Sequence, residues 1–448
     1  MSGRQPAADP RPASDVSAAV GLVGVAGLLA WVALCRAWPA IADTFALPGP
    51  RAVLDGPYAA LCGVVAAGLP MALWSVLVGR VHRRASTGID WHRPRPLSAV
   101  LDVSLTKLAG LWATWALIGF LYCVARWYWS EPYLFAMEVL GAAAVPLFVL
   151  SIPYVLWLDR VLVEPRDGAW HFGAMLIGRE AWSRPEVARH LRAWAVKGFF
   201  TAFMVSILPG LFGEIVRTDF AALGSDPVAI ARTAIACMFL LDVQIGTVGY
   251  IMTAKPLDAQ IRSANPFLAG WLAALLCYPP FVLMGTGGLM TYEVNTQDWA
   301  AWFGAWPLLL WVWGALMVAL TAAYASATVI FGLRFSNLTY RGVITNGPYR
   351  FTRHPAYLSK NLFWWCSSLP FLVTSNSLTD VVRNCFFLLL TNAIYFWRAK
   401  TEEAHLCAED AKYREYHAWM AENAPITRGL GRLKGLLRPR GPMLQPAE

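Results

Sequence analysis

The sequence predicts an all-α, polytopic integral membrane protein with about ten transmembrane helices and cytoplasmic N- and C-termini. Of its 448 residues, 57% are hydrophobic and 15% are charged, and the mean hydropathy is +0.46. A soluble domain carries roughly 45–50% apolar and about 25% charged residues, so this chain cannot bury its apolar surface in a water-soluble core. Its 22 Trp and 15 Tyr fit the aromatic belts of membrane proteins.

Ten apolar runs are long enough to span a membrane, which requires about 20 mostly apolar residues. Prolines interrupt two of the runs, and proline is tolerated in a span when neighbouring groups satisfy the freed carbonyls. The predicted spans are 17–35, 57–79, 104–126, 134–158, 198–216, 229–252, 266–290, 300–332, 356–374 and 379–397.

The distribution of basic residues supports this number of spans and sets the orientation. With the N-terminus inside, the inner segments hold 29 Lys and Arg residues, whereas the outer segments hold 4. Basic residues collect in cytoplasmic loops, which explains the net charge of +9 without a nucleic-acid partner. The eight cysteines show no metal-binding spacing, so we expect buried thiols and no metal site.

The chain divides into four regions by composition and motif content. We expect a polar N-terminal segment, an N-terminal transmembrane region of about seven helices, a region that carries two polar motifs and a basic tail that contacts anionic lipid. Their boundaries are 1–16, 17–295, 296–427 and 428–448.

A polar segment, residues 345–358, precedes the ninth predicted span and reads Thr-Asn-Gly-Pro-Tyr-Arg-Phe-Thr-Arg-His-Pro-Ala-Tyr-Leu. The sequence Asn-Gly-Pro favours a turn. His354 precedes Pro355, and a residue before proline is biased toward an extended conformation. We therefore expect a rigid turn at the inner face that directs Tyr349, Arg353 and His354 toward the start of a helix at Pro355. Taken alone, this segment would also fit an ordinary loop.

A second polar segment, residues 398–416, follows the tenth span without a break, so one helix is expected to leave the membrane and continue. Arg398 and Glu402 are four residues apart and share a helix face, and Glu403 is next in sequence. An arginine and two carboxylates at this depth suit a polar ligand that meets a lipid. An Arg–Glu pair four residues apart is also a common way to stabilise a helix. Arginines that follow a span also commonly set the orientation of a membrane protein.

Together and in this order, the two segments resemble the isoprenylcysteine carboxyl methyltransferase and phospholipid methyltransferase superfamily. The resemblance rests on Gly-Pro-Tyr-Arg-x-x-Arg-His-Pro-x-Tyr-Leu, two spans of apolar sequence, and then Arg-x-x-x-Glu-Glu-x-x-Leu and Tyr-x-x-Tyr. Pro425, nine residues past the last tyrosine, also agrees. The resemblance covers about residues 330–427.

The resemblance implies a membrane methyltransferase that binds S-adenosyl-L-methionine at the inner face without a Rossmann fold. The carboxylates would hold hydroxyl or ammonium groups of the cofactor, and the arginines would anchor its carboxylate or the anion of the acceptor. The catalytic residues that it implies are Arg353, Arg398, Glu402 and Glu403. The cofactor-binding residues that it implies are Gly347, Tyr349, His354, Pro355, Tyr357, Leu358 and Glu403.

The chain departs from the family in its length and in polar residues within spans. About 295 residues and seven predicted spans precede the motif, whereas the family core needs four or five spans. Lys360 and Asn361 lie in the ninth span and Asp242 in the sixth. Because ionisable groups inside a membrane are functional hypotheses, we expect these residues to line the path of the acceptor. The structural alternative is a buried polar pair between helices.

The acceptor is expected to be a lipid or a lipid-linked, possibly prenylated, molecule, because a soluble acceptor would not need ten spans around its site. The methyl carbon of a sulfonium is already electrophilic, so the protein mainly aligns the reacting groups. A carboxylate or phosphate acceptor needs no base. An amine or hydroxyl acceptor needs one, such as Glu402 or His405.

Two other interpretations of the sequence stay open. An NADPH-dependent membrane sterol- or steroid-type reductase has a similar Arg-His-Pro-x-Tyr turn, and Cys407 and Lys412 fit it, although the Arg398–Glu402 pair favours the methyltransferase. A non-enzymatic transporter or lipid-binding protein would account for the spans. That interpretation predicts inverted repeats, which are not evident, and it leaves both polar segments unexplained.

The predicted topology determines which positions react from outside an intact cell. A cysteine introduced at Asn295 or Ser375 is expected to react with a membrane-impermeant maleimide, because both positions lie in outer segments. A cysteine at Thr345 or Glu422 is expected to react only after the membrane is opened. Labelling at Thr345 in intact cells would contradict the orientation.

Overall fold

The computed structural model describes residues 11–179, 181–285 and 287–429. These residues are mostly helical, and two short antiparallel strands, β1 (Ser263–Ala264) and β2 (Thr339–Tyr340), join two loops. The α-helices within these ranges are α1 (Ala18–Thr44), α2 (Pro57–Leu77), α3 (Leu97–Val124), α4 (Leu134–Val161), α5 (Gly168–Leu176), α6 (Arg184–Arg217), α7 (Pro227–Ile251), α8 (Leu268–Leu275), α9 (Trp299–Trp302), α10 (Pro307–Phe331), α11 (Pro355–Ser368), α12 (Leu378–Glu409) and α13 (Ala411–Asn423).

Seven helices of the described chain, α1, α2, α3, α4, α6, α7 and α10, are long and apolar enough to cross a membrane. Proline lies in the first turn of α2, α6, α7 and α10, where its missing N–H has no helical partner to lose. Only 11% of the most apolar stretch of α4 is buried, and its Leu147 and Leu150 are exposed. Lipid is the solvent that such faces require, so the protein is an integral, multi-pass membrane protein.

The remaining three predicted spans have other shapes. The ninth corresponds to α11, a 14-residue helix that is about 21 Å long at the standard rise. The tenth lies within α12, which has 32 residues and continues past the span as predicted. The seventh, 266–290, contains only the eight-residue helix α8, followed by turns. The prediction of a membrane-length helix over 266–290 was therefore wrong.

Two prolines explain why the end of this seventh segment is not helical, and a side chain of α12 binds the backbone that follows it. Pro279 and Pro280 cannot donate the hydrogen bonds that a helix needs. Further along, the Asn384 side chain of α12 accepts from the backbone N–H of Val294 at 3.3 Å and donates to its carbonyl at 2.8 Å. Irregular backbone at membrane depth is tolerated where protein surrounds it or where it lines a cavity.

Segments predicted to be inner lie together at one end of the helix bundle. Arg84 donates to the backbone carbonyl of Asp15 at 2.9 Å. Asp258 accepts from Ser86 at 2.9 Å and pairs with Arg334 at 2.5 Å. Four segments far apart in sequence therefore meet at this end, which we call the basic end.

Segments predicted to be outer meet at the opposite end. Arg217 pairs with Asp55 at 2.6 Å, and Asn295 donates to Asp380 at 2.9 Å. The two ends follow the alternation of inner and outer segments that the sequence predicts.

Close helix packing joins the N-terminal helices to those that carry the motif. A Cβ on Gly21 of α1 would lie 1.9 Å from the carbonyl oxygen of Val329 in α10, so only glycine permits this contact. Arg341, which is 3% exposed, ties the end of α7 to the loops beside it. Its guanidinium donates to the backbone carbonyls of Gly249, Met252, Ala259, Leu333 and Phe335.

The predicted basic tail lies outside the described residues, apart from Arg428 and Gly429.

Candidate active site

The turn predicted from the sequence lies at the basic end, between α10 and α11. Gly347 begins a short 3-10 turn with φ of +55°, and a Cβ there would lie 2.7 Å from the side chain of Ile330. The carbonyl of Tyr349 accepts from the hydroxyl of Tyr416 on α13 at 2.7 Å. The turn is thus fixed on both sides by packing and by hydrogen bonds.

The N-terminal strap, residues 11–17, crosses the outside of this turn. Asp15 accepts from the backbone N–H of Val343 at 2.7 Å and pairs with Lys412 at 2.5 Å, and Thr345 donates to Pro12 at 2.8 Å. Burial raises the pKa of Asp15, but the hydrogen bonds from Lys412 and Val343 outweigh it and hold the pKa below its usual value. The strap therefore attaches the start of the chain to the motif and to α13.

Glu403 of α12 joins the two polar segments of the motif. Its Oε1 accepts from Arg353 Nε at 2.7 Å and lies 3.1 Å from His354 Nε2. Its Oε2 lies 2.5 Å from Lys400 Nζ and 3.7 Å from His417 Nε2. The buried carboxylate of Glu403, whose residue is 6% exposed, therefore lies close to four cationic or protonatable side chains.

These contacts decide the protonation of Glu403. Burial raises its pKa, but the hydrogen bonds from His354, His417 and Lys400 outweigh burial and hold the pKa far below its usual value of 4.5. Charge-assisted hydrogen bonds favour the ionised form of a carboxyl group. Glu403 is therefore ionised at neutral pH, and it orients Arg353 and His354.

Arg398 of α12 forms a second ionic group beside the first. It is 1% exposed; its Nε lies 3.4 Å from Glu402, and its Nη2 donates to Asn337 at 2.7 Å. Tyr357 donates its hydroxyl to the same Glu402 oxygen. Tyrosine rings stabilise the buried guanidinium through cation–π contacts. The rings at 5.0–5.9 Å from the guanidinium carbon are those of Tyr278, Tyr357 and Tyr395.

A cavity of about 510 Å³ extends from this ionic cluster into the helix bundle. Its volume is typical of small-molecule sites. The end near the turn is polar and is lined by Arg353, His354, Glu402 and Arg398. The opposite end is apolar and is lined by Phe203, Ile207 and Leu211 of α6 and Phe239 of α7. Helices that precede the motif therefore build the apolar end.

A further polar cluster lies between α7, α10 and α11 along the same cavity. Asp242 accepts from the hydroxyl of Tyr324 at 2.7 Å and from that of Thr328. The ammonium of Lys360 lies 5.4–5.8 Å from three aromatic rings and has no hydrogen-bond acceptor among the described residues. Asp242 and Lys360 both line the cavity.

The structure separates the residues predicted from the sequence into those that line the cavity and those that lie behind it. The cavity is lined by Tyr349, Arg353, His354, Tyr357, Lys360, Asp242, Arg398 and Glu402. The residues behind its wall are Gly347, Pro355, Leu358, Asn361 and Glu403. These five do not line the cavity, and their predicted contact with a ligand stays a prediction.

The side chains of Asn361 and Glu403 already form hydrogen bonds with other residues of the protein. Asn361 accepts from Asn392 of α12 at 2.6 Å and donates to the carbonyl of Tyr357 at 2.7 Å, so it holds α11 against α12. Both carboxylate oxygens of Glu403 are occupied by protein side chains.

Several cavity residues were not predicted from the sequence. Tyr395 lies three residues before Arg398 on α12, and this helical spacing was a usable signal. Asn337, Tyr278 and Arg334 carry no local signal, because their positions depend on loops that the fold brings together. Arg334 lines the cavity, and its Nη1 is buried without a hydrogen-bond acceptor among the described residues.

His405 also lines the cavity, with Nε2 2.9 Å from the hydroxyl of Ser263. Burial, together with the charge of Arg192, lowers the pKa of His405 to about 4. The imidazole is therefore neutral at neutral pH and able to accept a proton. The described residues contain no group of three or more His, Cys, Asp or Glu side chains that suits a metal ion.

Residues 308–408 match the model of the Isoprenylcysteine carboxyl methyltransferase (ICMT) family. The matched range begins in α10, includes the turn and α11, and ends near the end of α12, so it contains the first polar segment and residues 398–408 of the second. The match confirms the resemblance that these segments indicated. No curated protein and no solved structure matches the chain.

The depressed pKa of Glu403 predicts how the stability of the protein depends on pH. A carboxyl whose pKa is lowered on folding stabilises the folded state above the unfolded pKa, and this contribution is lost as pH falls. Glu403→Gln is expected to lower the thermal unfolding temperature at pH 7, and the difference from wild type should shrink below about pH 4.5. Glu422→Gln on the exposed face of α13 is the control. An equal difference at all pH values would contradict this assignment.

The N-terminal strap is expected to protect the turn from proteolysis. Asp15→Asn removes the charge that pairs with Lys412, so tryptic cleavage after the exposed Arg350 should become several times faster in the detergent-purified protein. Asp55→Asn, which breaks an ion pair at the opposite end, should leave this cleavage rate unchanged. Equal rates in both variants and wild type would show that the strap does not hold the turn.

Proposed function

We propose that this protein, whose residues 308–408 match the ICMT family, transfers a methyl group from S-adenosyl-L-methionine to a lipid or lipid-linked acceptor at the cytoplasmic face of its membrane. The observation that carries the proposal is the cavity, which has one ionic end and one apolar end. Both motif segments build the ionic end, which suits a polar cofactor. Helices α6 and α7 build the apolar end, which suits a lipid chain.

The proposed topology has ten crossings with both termini in the cytoplasm. The 29 basic residues of the predicted inner segments support placing the basic end of the bundle in the cytoplasm. A cofactor made in the cytoplasm would then reach the ionic end directly. The acceptor would enter from the membrane, between the helices.

The chemistry of the cavity residues fits S-adenosyl-L-methionine. Arg353 lines the cavity and suits the carboxylate of the cofactor. Glu402 suits an ammonium or hydroxyl group, and the rings of Tyr357 and Tyr395 suit a sulfonium cation. The cofactor would supply an electrophilic methyl group, and the protein would supply alignment and the exclusion of water.

The proposed roles follow the placement of each residue. Arg353, His354 and Tyr357 line the cofactor end, and Glu403 positions the first two. Arg398 and Glu402 would lie where the cofactor and the acceptor meet. For a hydroxyl or amine acceptor, Glu402 or the neutral His405 would take the proton.

Methyl transfer from labelled S-adenosyl-L-methionine tests the proposal. Label is expected in the organic phase of an extract from membranes that contain the protein. His354→Ala should weaken cofactor binding at least tenfold, because a lost charge-assisted contact is worth about 1.5–3 kcal/mol. His92→Ala, at an exposed loop position, should bind as wild type does.

Two results would contradict parts of the proposal separately. Label confined to water-soluble molecules would exclude a lipid acceptor and leave methyl transfer intact. Binding of NADPH in place of S-adenosyl-L-methionine would exclude the methyltransferase and favour a reductase.

A further inference from the structure

Lys360 forms no hydrogen bond or ion pair among the described residues, unlike the buried Lys107. Lys107 pairs with Asp159 at 2.5 Å and Asp167 at 3.1 Å. Lys360 lines the cavity, and its ammonium contacts aromatic rings instead of an oxygen atom. An ammonium carries three N–H donors, and ring contacts offset only part of the lost hydration. The rings are those of Tyr324, Trp364 and Tyr395.

Among the charged groups around Lys360, Asp242 attracts the ammonium electrostatically but forms no salt bridge with it. Asp242 instead accepts one hydroxyl hydrogen bond on each oxygen, from Tyr324 and Thr328. Arg398 lies 5.9 Å from the ring of Tyr395, which Lys360 also contacts at 5.8 Å, and it is paired with Glu402. Lys360 is therefore the cation at this part of the cavity that is left to pair with a ligand.

We propose that Lys360 binds an acidic group of the lipid acceptor, a carboxylate or a phosphate, and so selects acidic lipids. This inference rests on the proposed function. Lys360 lies one helical turn after Tyr357, so a group bound to it is close to the ionic end while its chain extends along α6 and α7. A neutral head group would leave the ammonium unpaired, and a cationic one would be repelled by Lys360 and Arg398.

A series of lipids with one chain and different head groups tests the inference. Oleic acid, oleyl phosphate, oleyl alcohol and oleylamine are compared by equilibrium binding of labelled ligand to the full-length protein in detergent. Wild type is expected to bind the acid or the phosphate at least ten times more tightly than the alcohol, and the tighter of the two identifies the acidic group. The amine should bind most weakly.

Substitutions at Lys360 assign this preference to its charge. Lys360→Met keeps an apolar side chain of similar length inside the aromatic cage and is expected to abolish the preference for acidic heads. Lys360→Arg is expected to retain it. Lys255→Met removes a lysine that pairs with Asp167 at 3.7 Å outside the cavity and should retain it as well.

Binding of S-adenosyl-L-methionine, measured on the same samples, distinguishes a failure of the role of Lys360 from a failure of the proposed methyltransferase function. Lys360→Met should reduce the preference for acidic heads far more than it reduces cofactor binding. No preference in wild type, or a preference that persists in Lys360→Met, would overturn the role of Lys360. Absence of cofactor binding in wild type would instead overturn the proposed function.

Discussion

The buried carboxylate of Glu403 is the constraint on which the ionic end of the cavity depends. The turn after α10 and the last part of α12 are separated by α11 and its following loop, and Glu403 joins them through Arg353 and His354. Removing one partner of a buried ion pair leaves an uncompensated charge, which is costly. The cluster therefore fixes the orientation of two side chains that line the cavity, although Glu403 itself does not line it.

The helices before the family match complete the cavity. Arg341 holds the end of α7 to the loop after α10 through backbone carbonyls, and the N-terminal strap holds the turn from the other side. In the same way, the non-helical segment after α8 brings Tyr278 against Arg398. Residues 308–408 supply the motif, but the apolar end and part of the aromatic surroundings of Arg398 come from the preceding chain.

Three of the cations that line the cavity have different surroundings. Arg334 is paired with Asp258 and lies 3.7 Å from Asp15 of the strap, Arg398 is paired with Glu402 and enclosed by tyrosines, and the ammonium of Lys360 contacts aromatic rings. Charges in a low-dielectric interior are tolerated when a partner is close. Lys360 forms no ion pair among the described residues and therefore suits the anionic group of the proposed acceptor.

The sequence by itself determined the membrane class and the position of the motif, because these depend on local composition and spacing. It also predicted the turn at Gly347 and the continuous helix through Arg398. Only the tertiary structure decided that Glu403 lies behind the cavity wall, that Asn337 pairs with Arg398 and that Lys360 lacks an acceptor. Those outcomes depend on which distant residues meet. The break in the seventh span also depends on the fold, where the hydroxyl of Tyr133 donates to the carbonyl of Pro279.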